Sequence, residues 1–260
     1  MFHRMLEEIL AHKREEVAAA KIARPIRDMP RAATVPLPRD FASALRGPGV
    51  ALIAEIKRRS PSAGLIRASF HPTQIARTYE AHGAAAISVL TDREFFGGSL
   101  AILRLVRRAV AVPVLRKDFL IDPYQLIESR AAGADAVLLI AEALPAKALA
   151  FMIDEARSLG MACLVEAHGL GGLKKALDAG ADILGINNRN LHTFKTNLET
   201  TRRLARQVPH GRIIVSESAI QTRADVERVA AWGAHAVLVG EALMRARRIG
   251  PAVDVLMGNP

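Results

Sequence analysis

A chain of 260 residues, half of them hydrophobic, can bury a full core, and about 250 residues is typical of one (β/α)8 barrel, although two small domains would also fit. The only cysteine is Cys163, which rules out an internal disulfide, and no CxxC or Cys/His cluster offers a zinc site. The net charge of +10 is spread over predicted helices, at Arg104, Arg107 and Arg108 among others, with few aromatic residues nearby; this reads as a solvated basic surface that helps attract an anionic substrate, not as a nucleic-acid-binding stripe.

The first 22 residues read as one amphipathic helix, with Met5 and Ile9, and Leu6 and Leu10, paired at i,i+4, and Pro25 ends it. The run is charged throughout and lacks the apolar stretch of a secretory signal. No segment matches a membrane span: the richest, 136–153, carries Glu142, Pro145 and Lys147. A cytoplasmic protein is expected. Residues 24–49 hold five prolines and read as a connector. The chain then alternates apolar β-rich runs, at 50–57, 85–91, 112–119, 136–140, 162–167, 183–189, 212–218 and 236–240, with helical stretches such as 99–110, 123–132 and 222–232. Strands alternating with helices imply a parallel sheet covered on both faces.

A faint repeat favours closure of that sheet. Gly83-Ala84-Ala85-Ala86 resembles Gly133-Ala134-Asp135-Ala136, Gly180-Ala181-Asp182-Ile183 and Gly233-Ala234-His235-Ala236, ahead of every second strand. Each glycine sits where a left-handed helix cap is expected. An open doubly wound sheet is the alternative, but no GxGxxG follows the first strand. The expectation is an α/β chain of one domain, an N-terminal helical extension at 1–45 and a (β/α)8 barrel at 46–260.

In such a barrel, chemistry sits at the C-terminal strand ends. Read in order, these ends carry Glu55 and Lys57, Lys117, Glu166 and His168, Asn187 and Arg189, Glu217 and Ser218, then Gly240 and Glu241; strand four ends apolar, in Leu138-Leu139-Ile140. Alternation places Glu55 and Lys57 on one face, and unpaired buried charge is costly. Gathered at one mouth, these groups pair with each other, offer cations to an anion, and supply separate acids and bases. Ser60 and Ser62 lie in a polar loop suited to covering a ligand. Cys163 reads as core. His168 reads as a rim histidine with a solvated ring, with a shuttle role as the less favoured reading. The turn Gly240-Glu241 opens a short helix whose N–H groups suit phosphate, or is an ordinary βα turn.

The motifs Glu55-Ile56-Lys57-Arg58-Arg59-Ser60-Pro61-Ser62, Phe95-Phe96-Gly97-Gly98-Ser99, Leu115-Arg116-Lys117-Asp118-Phe119, Leu164-Val165-Glu166, Gly185-Ile186-Asn187-Asn188-Arg189-Asn190-Leu191 and Ser216-Glu217-Ser218 together resemble the indole-3-glycerol phosphate synthase family, over essentially the whole chain. The resemblance implies closure of 1-(2-carboxyphenylamino)-1-deoxyribulose 5-phosphate to indole-3-glycerol phosphate with loss of carbon dioxide and water, without metal or cofactor. It implies Lys117 as the acid for ring closure, Glu166 as the acid/base of dehydration and Lys57 as a contact to anionic groups. Glu55, Asn187, Glu217 and Ser218 resemble the supporting polar shell, Ser60 and Arg189 substrate contacts, and Phe96, Phe119 and Leu138 the apolar pocket. Phosphate is expected around Ser218, Ala219, Gly240 and Glu241. Ala219 stands where many members have glycine, and Glu241 where some have serine. A monomer or weak homo-oligomer acting on a small anionic substrate, with no nucleic-acid or membrane partner, is expected. Phosphoribosylanthranilate isomerase, the nearest rival, wants an early cysteine base, and Cys163 lies on strand five.

Overall fold

The computed structural model describes residues 2–190 and 195–259, so Leu191 lies outside the described residues. The amphipathic N-terminal run forms one helix, Phe2–Ala23, which buries Leu6, Ile9, Leu10 and Val17. Pro25 follows after Arg24 and opens a 3-10 turn, Ile26–Asp28. The stretch read as a connector is more than that. Asp40 caps a short helix, Phe41–Ala44, by accepting from the Ser43 N–H at 2.8 Å. Phe41 and Leu45 then join the inner barrel cluster. A four-residue helix is too short to display a hydrophobic period, so the sequence pattern could not announce this plug.

Eight parallel strands close the barrel: β1 (Ala51–Ile56), β2 (Ala86–Leu90), β3 (Val114–Lys117), β4 (Ala136–Ile140), β5 (Ala162–Ala167), β6 (Ile183–Asn187), β7 (Ile213–Glu217) and β8 (Ala236–Val239). β1 pairs with β2 on one side and with β8 on the other, from Ala51↔Ala236 to Ala54↔Val239. The strands lie where the apolar runs predict them, with ends trimmed by one or two residues. β3 stops at Lys117 because Asp118 turns out of the ladder: its carboxylate accepts from the Thr91 hydroxyl at 2.6 Å and the Phe119 N–H at 2.8 Å. A small hairpin, Arg59–Ser60 against Gly64–Leu65, forms in the loop after β1 and was not predicted.

The repeat has a structural basis. Gly83, Gly133, Gly180 and Gly233 all have positive φ, between 81° and 94°, each turning a helix end into the next strand. The fourth position of each copy, Ala86, Ala136, Ile183 and Ala236, points into the barrel. Three of the four are alanine, and Phe41 and Leu45 pack with them in the same cluster. Among the described residues, no helix is long and apolar enough to cross a membrane.

One ion cluster ties the N-terminal helix to the barrel. The Lys13 side chain is fully buried, with Nζ 2.9 Å from Asp92, 3.0 Å from Asp118 and 2.8 Å from Glu16. Burial works against its charge, but Asp118 and Asp92 outweigh that and hold the ammonium well above its usual range. Asp92 also accepts from the N–H groups of Phe95 and Phe96, and Asp118 from that of Phe119. The helix is thus fastened to the two loops that carry Phe96 and Phe119. Lys13→Ala takes the shared ammonium from two buried carboxylates, of which Asp118 keeps Arg116, and should cost about 3 kcal/mol in urea unfolding. Burial acts to raise the Asp118 carboxyl, but Arg116 and Lys13 hold it at about 2. Its contribution is present above pH ~4 and is lost as pH falls towards the folded value, so Lys13→Ala should begin acid unfolding at a higher pH than the parent.

Candidate active site

Strand alternation builds the site. Along the odd strands, Ile53, Leu115, Leu164 and Val215 point inwards and belong to the inner apolar cluster. Two residues on, the same face presents Glu55, Lys117, Glu166 and Glu217. Four side chains from alternate strands are one layer of a barrel core. Here that layer is charged. Lys117 Nζ lies 3.3 Å from Glu166, 3.3 Å from Glu217 and 3.9 Å from Glu55. Glu55 also holds Lys57 at 2.8 Å.

Two glycines on the even strands make room. At Gly185 on β6 a Cβ would overlap the Glu217 carboxylate, and at Gly240, just after β8, one would overlap Glu55. The side chains of Glu55, Glu166 and Glu217 are almost completely buried. Burial acts against charge on Lys117, yet the surrounding carboxylates hold it charged, far above its usual range. Glu166 is pushed up by burial but is drawn lower still by Lys117 and His168. Glu217 is pushed up by burial and by the neighbouring Glu166, against the pull of Lys117. Neither Glu217 oxygen has an aligned hydrogen-bond donor. Glu217 is thus the carboxyl of this layer that takes a proton most readily, while Glu55 and Glu166 are held towards the ionised form.

Above this layer opens a cavity of about 670 Å3. Phe96 and Phe119, ring centres 6.1 Å apart, line it with Leu138. Ser60, Asn187 and Arg189 line it as well, as do Ser218, Ala219, Gly240 and Glu241 from the loops after β7 and β8. Every site residue expected from sequence thus borders a single space.

A family model for indole-3-glycerol phosphate synthase matches residues 6–256. The chain belongs to the indole-3-glycerol phosphate synthase family. It is 51% identical to the indole-3-glycerol phosphate synthase of Roseiflexus castenholzii over 265 aligned positions, covering 98% of each chain. Its activity is that family's: ring closure, decarboxylation and dehydration of 1-(2-carboxyphenylamino)-1-deoxyribulose 5-phosphate to indole-3-glycerol phosphate in tryptophan biosynthesis. Solved structures of more distant proteins share the fold. They include a 3-hexulose-6-phosphate synthase (TM-score 0.65, 15% identity, 81% of this chain and 99% of that one). A thiamine phosphate pyrophosphorylase from Pyrococcus furiosus is comparable (TM-score 0.62, 19% identity, 80% and 94%).

Several site residues escaped the sequence reading. Met5, Leu6 and Ile9 of the N-terminal helix line the cavity, their only signal being the apolar face of that helix. His168 corrects an expectation: its side chain is 8% exposed, not solvated, and lies between Glu166 and Glu142. Glu142 sits in the loop after the apolar end of β4, where the strand end itself offered no polar signal.

The two departures from the family pattern have visible consequences. Glu241 turns along its own helix and pairs with Arg245 at 2.9 Å, so its charge is met by a cation. Ser218 and Ala219 have φ of 64° and 63°, left-handed values that disfavour a Cβ. Glycine relieves that strain but loses more chain entropy on folding. Ala219→Gly should raise stability by about 0.5–1 kcal/mol, the difference between these two effects. Chemical denaturation checks it; an unchanged or lower midpoint would mean the loop carries no such strain.

Proposed function

We propose a division of labour in which Lys117 is the acid of ring closure and Glu166 the acid/base of dehydration. The supporting observation is the placement of Lys117 Nζ, within 3.3–3.9 Å of three buried carboxylates at the floor of an apolar cavity. The anthranilate ring packs against Phe96, Phe119 and Leu138, with its carboxylate towards Lys57. The phosphate meets the N–H groups of Ser218, Ala219, Gly240 and Glu241, and Ser60 and Arg189 contact the sugar phosphate chain. Glu55 positions both lysines, and Asn187, Ser218 and Glu217 complete the polar shell.

Ring closure places negative charge on the sugar carbonyl oxygen, and Lys117 gives it a proton. The ring carbon that attacks becomes tetrahedral, beside a nitrogen that now carries positive charge. Carbon dioxide leaves as that carbon's bonding electrons restore the aromatic ring, a step that needs only the cationic nitrogen as electron sink. The new hydroxyl then leaves as water, and the carbon next to nitrogen loses its proton to Glu166. The carboxylates flanking Lys117 hold its proton in the empty site and stabilise the charged state to which it returns.

We further propose that residues 1–45 form one domain with the barrel, a reading supported by the buried Lys13 cluster. The reading extends to a monomer or weak homo-oligomer in the cytoplasm, acting on a small anionic substrate with no nucleic-acid partner and no cofactor.

Lys117→Ala should lower turnover by ~10²–10⁴, the usual contribution of a positioned acid, with a smaller effect on KM. Lys117→Arg should not restore it, because guanidinium stays protonated. Near parental turnover in Lys117→Ala would pass the acid role to Lys57. Glu166→Gln should consume substrate in a single turnover while indole fluorescence lags; persistence of substrate alone would refute the assignment to dehydration. Phosphate soaked into crystals should bind at the loops after β7 and β8, and density only elsewhere would count against that subsite.

A further inference from the structure

Dehydration poses a problem of order. The departing hydroxyl needs a proton before the neighbouring C–H gives one up, because loss of water creates the cationic carbon–nitrogen unit that makes that C–H acidic. Lys117 has by then passed its proton to the same oxygen. Glu166 starts as a carboxylate, so a proton must reach it while the intermediate fills the cavity.

The structure places an imidazole directly against Glu166. His168 Nε2 is 3.2 Å from Glu166 Oε1, and Nδ1 is 3.3 Å from Glu142 Oε2. Glu166 Oε2 faces Lys117 at 3.3 Å, so each oxygen of this carboxylate has its own partner. With Nδ1 hydrogen-bonded to Glu142, a proton carried on Nε2 faces Glu166. Glu142 is itself held: its Oε1 accepts the His168 backbone N–H at 2.9 Å, and its carboxylate lies over Gly172, where any Cβ would overlap it. Lys175 Nζ donates to the carbonyls of Ala141 and Leu144 at 2.8 and 3.0 Å, fixing the loop that carries Glu142. The charged groups facing the ring are Glu142 from that loop and Glu166 from β5, with Lys117 from β3 behind Glu166. His168 lines the same cavity as the substrate groups.

We propose that His168 holds the proton that Glu166 passes to the departing hydroxyl, and that Glu142 positions the ring for this exchange. The inference rests on the dehydration role of Glu166. The His168 Nε2 proton moves to Glu166 Oε1, and Glu166 protonates the hydroxyl. The C–O bond breaks as the nitrogen lone pair forms a C=N bond to the aromatic carbon that bears it and that carbon's ring π pair shifts to form a C=C bond at the carbon losing oxygen; water departs. Glu166, again a carboxylate, removes the C–H proton; that electron pair becomes the C=C bond of the five-membered ring, the shifted π pair returns to the aromatic ring and the C=N pair returns to nitrogen. The proton goes back to His168 Nε2. The exchange is proton-neutral, and Nδ1 keeps its proton against Glu142 throughout, so the ring needs no flip. A carboxylate–imidazole pair of this kind fixes ring orientation and the protonated nitrogen.

Single-turnover measurements on the full chain, following substrate loss and indole fluorescence separately, test the proposal. His168→Gln should leave substrate loss within about twofold of the parent and slow indole formation by ~10²-fold, the lower end for a positioned acid–base group, with KM little changed. Glu142→Gln should slow the same step by about 10-fold, as loss of an orienting partner does. Imidazole added to His168→Ala should restore indole formation saturably, and should do nothing for Glu166→Gln. A purely structural role would slow both phases and would not respond to imidazole. Parental indole kinetics in His168→Gln, or a deficit without imidazole rescue, overturns the proposal. If Glu166→Gln leaves substrate untouched while His168→Gln is slow only in the second phase, the Glu166 assignment fails separately.

Discussion

A barrel core layer is normally filled by apolar side chains from alternate strands. In this chain one layer is Glu55, Lys117, Glu166 and Glu217, and the rest of the site follows from the need to keep that much charge out of water. Three carboxylates around one buried ammonium cannot all ionise cheaply, so Glu217 is pushed towards its protonated form while Lys117 and His168 draw Glu166 the other way. Lys57 compensates Glu55 from above. Glycines stand at 185 and 240 because the carboxylates occupy the space a methyl would need. The same constraint sets an ammonium beside carboxyl groups whose proton affinities are driven apart, within a few ångströms.

The apolar half of the site depends on a second buried cation. Lys13 joins the N-terminal helix to Asp92 and Asp118, and those carboxylates organise the turns that present Phe96 and Phe119. Arg116 braces Asp118 from the outward face of β3, at 3.1 Å. In Leu115-Arg116-Lys117-Asp118-Phe119, alternation thus sends Lys117 to the charged layer lining the cavity and its two neighbours to the scaffold. A helix far away in sequence thereby becomes a wall of the substrate cavity, through Met5, Leu6 and Ile9.

Much of the site was legible because both signals behind it are local. Period-two alternation along β1 puts Glu55 and Lys57 on one face, and the strand ends name the rim. What stayed hidden was non-local. Lys13 looks like any lysine on the polar side of a helix, and its burial exists only once Asp92 and Asp118 arrive from other loops. His168 looks like a solvated rim residue until Glu142 folds over from the preceding βα loop. Phe41 reads as part of a proline-rich connector until the alanines of three repeat copies receive it.

The sequence by itself determined the alternating elements, the left-handed glycines that turn helix into strand, the set of rim residues and the family. Barrel closure settled which rim charges touch, in which direction each is driven, and how the N-terminal helix, His168 and Glu142 enter the site. The physical reason is range. Backbone periodicity and turn chemistry act over a few residues and can be read in line. Desolvation and Coulomb coupling depend on what barrel closure brings within 3–4 Å, and residues on β1 and β7 become neighbours of one lysine only when the barrel closes.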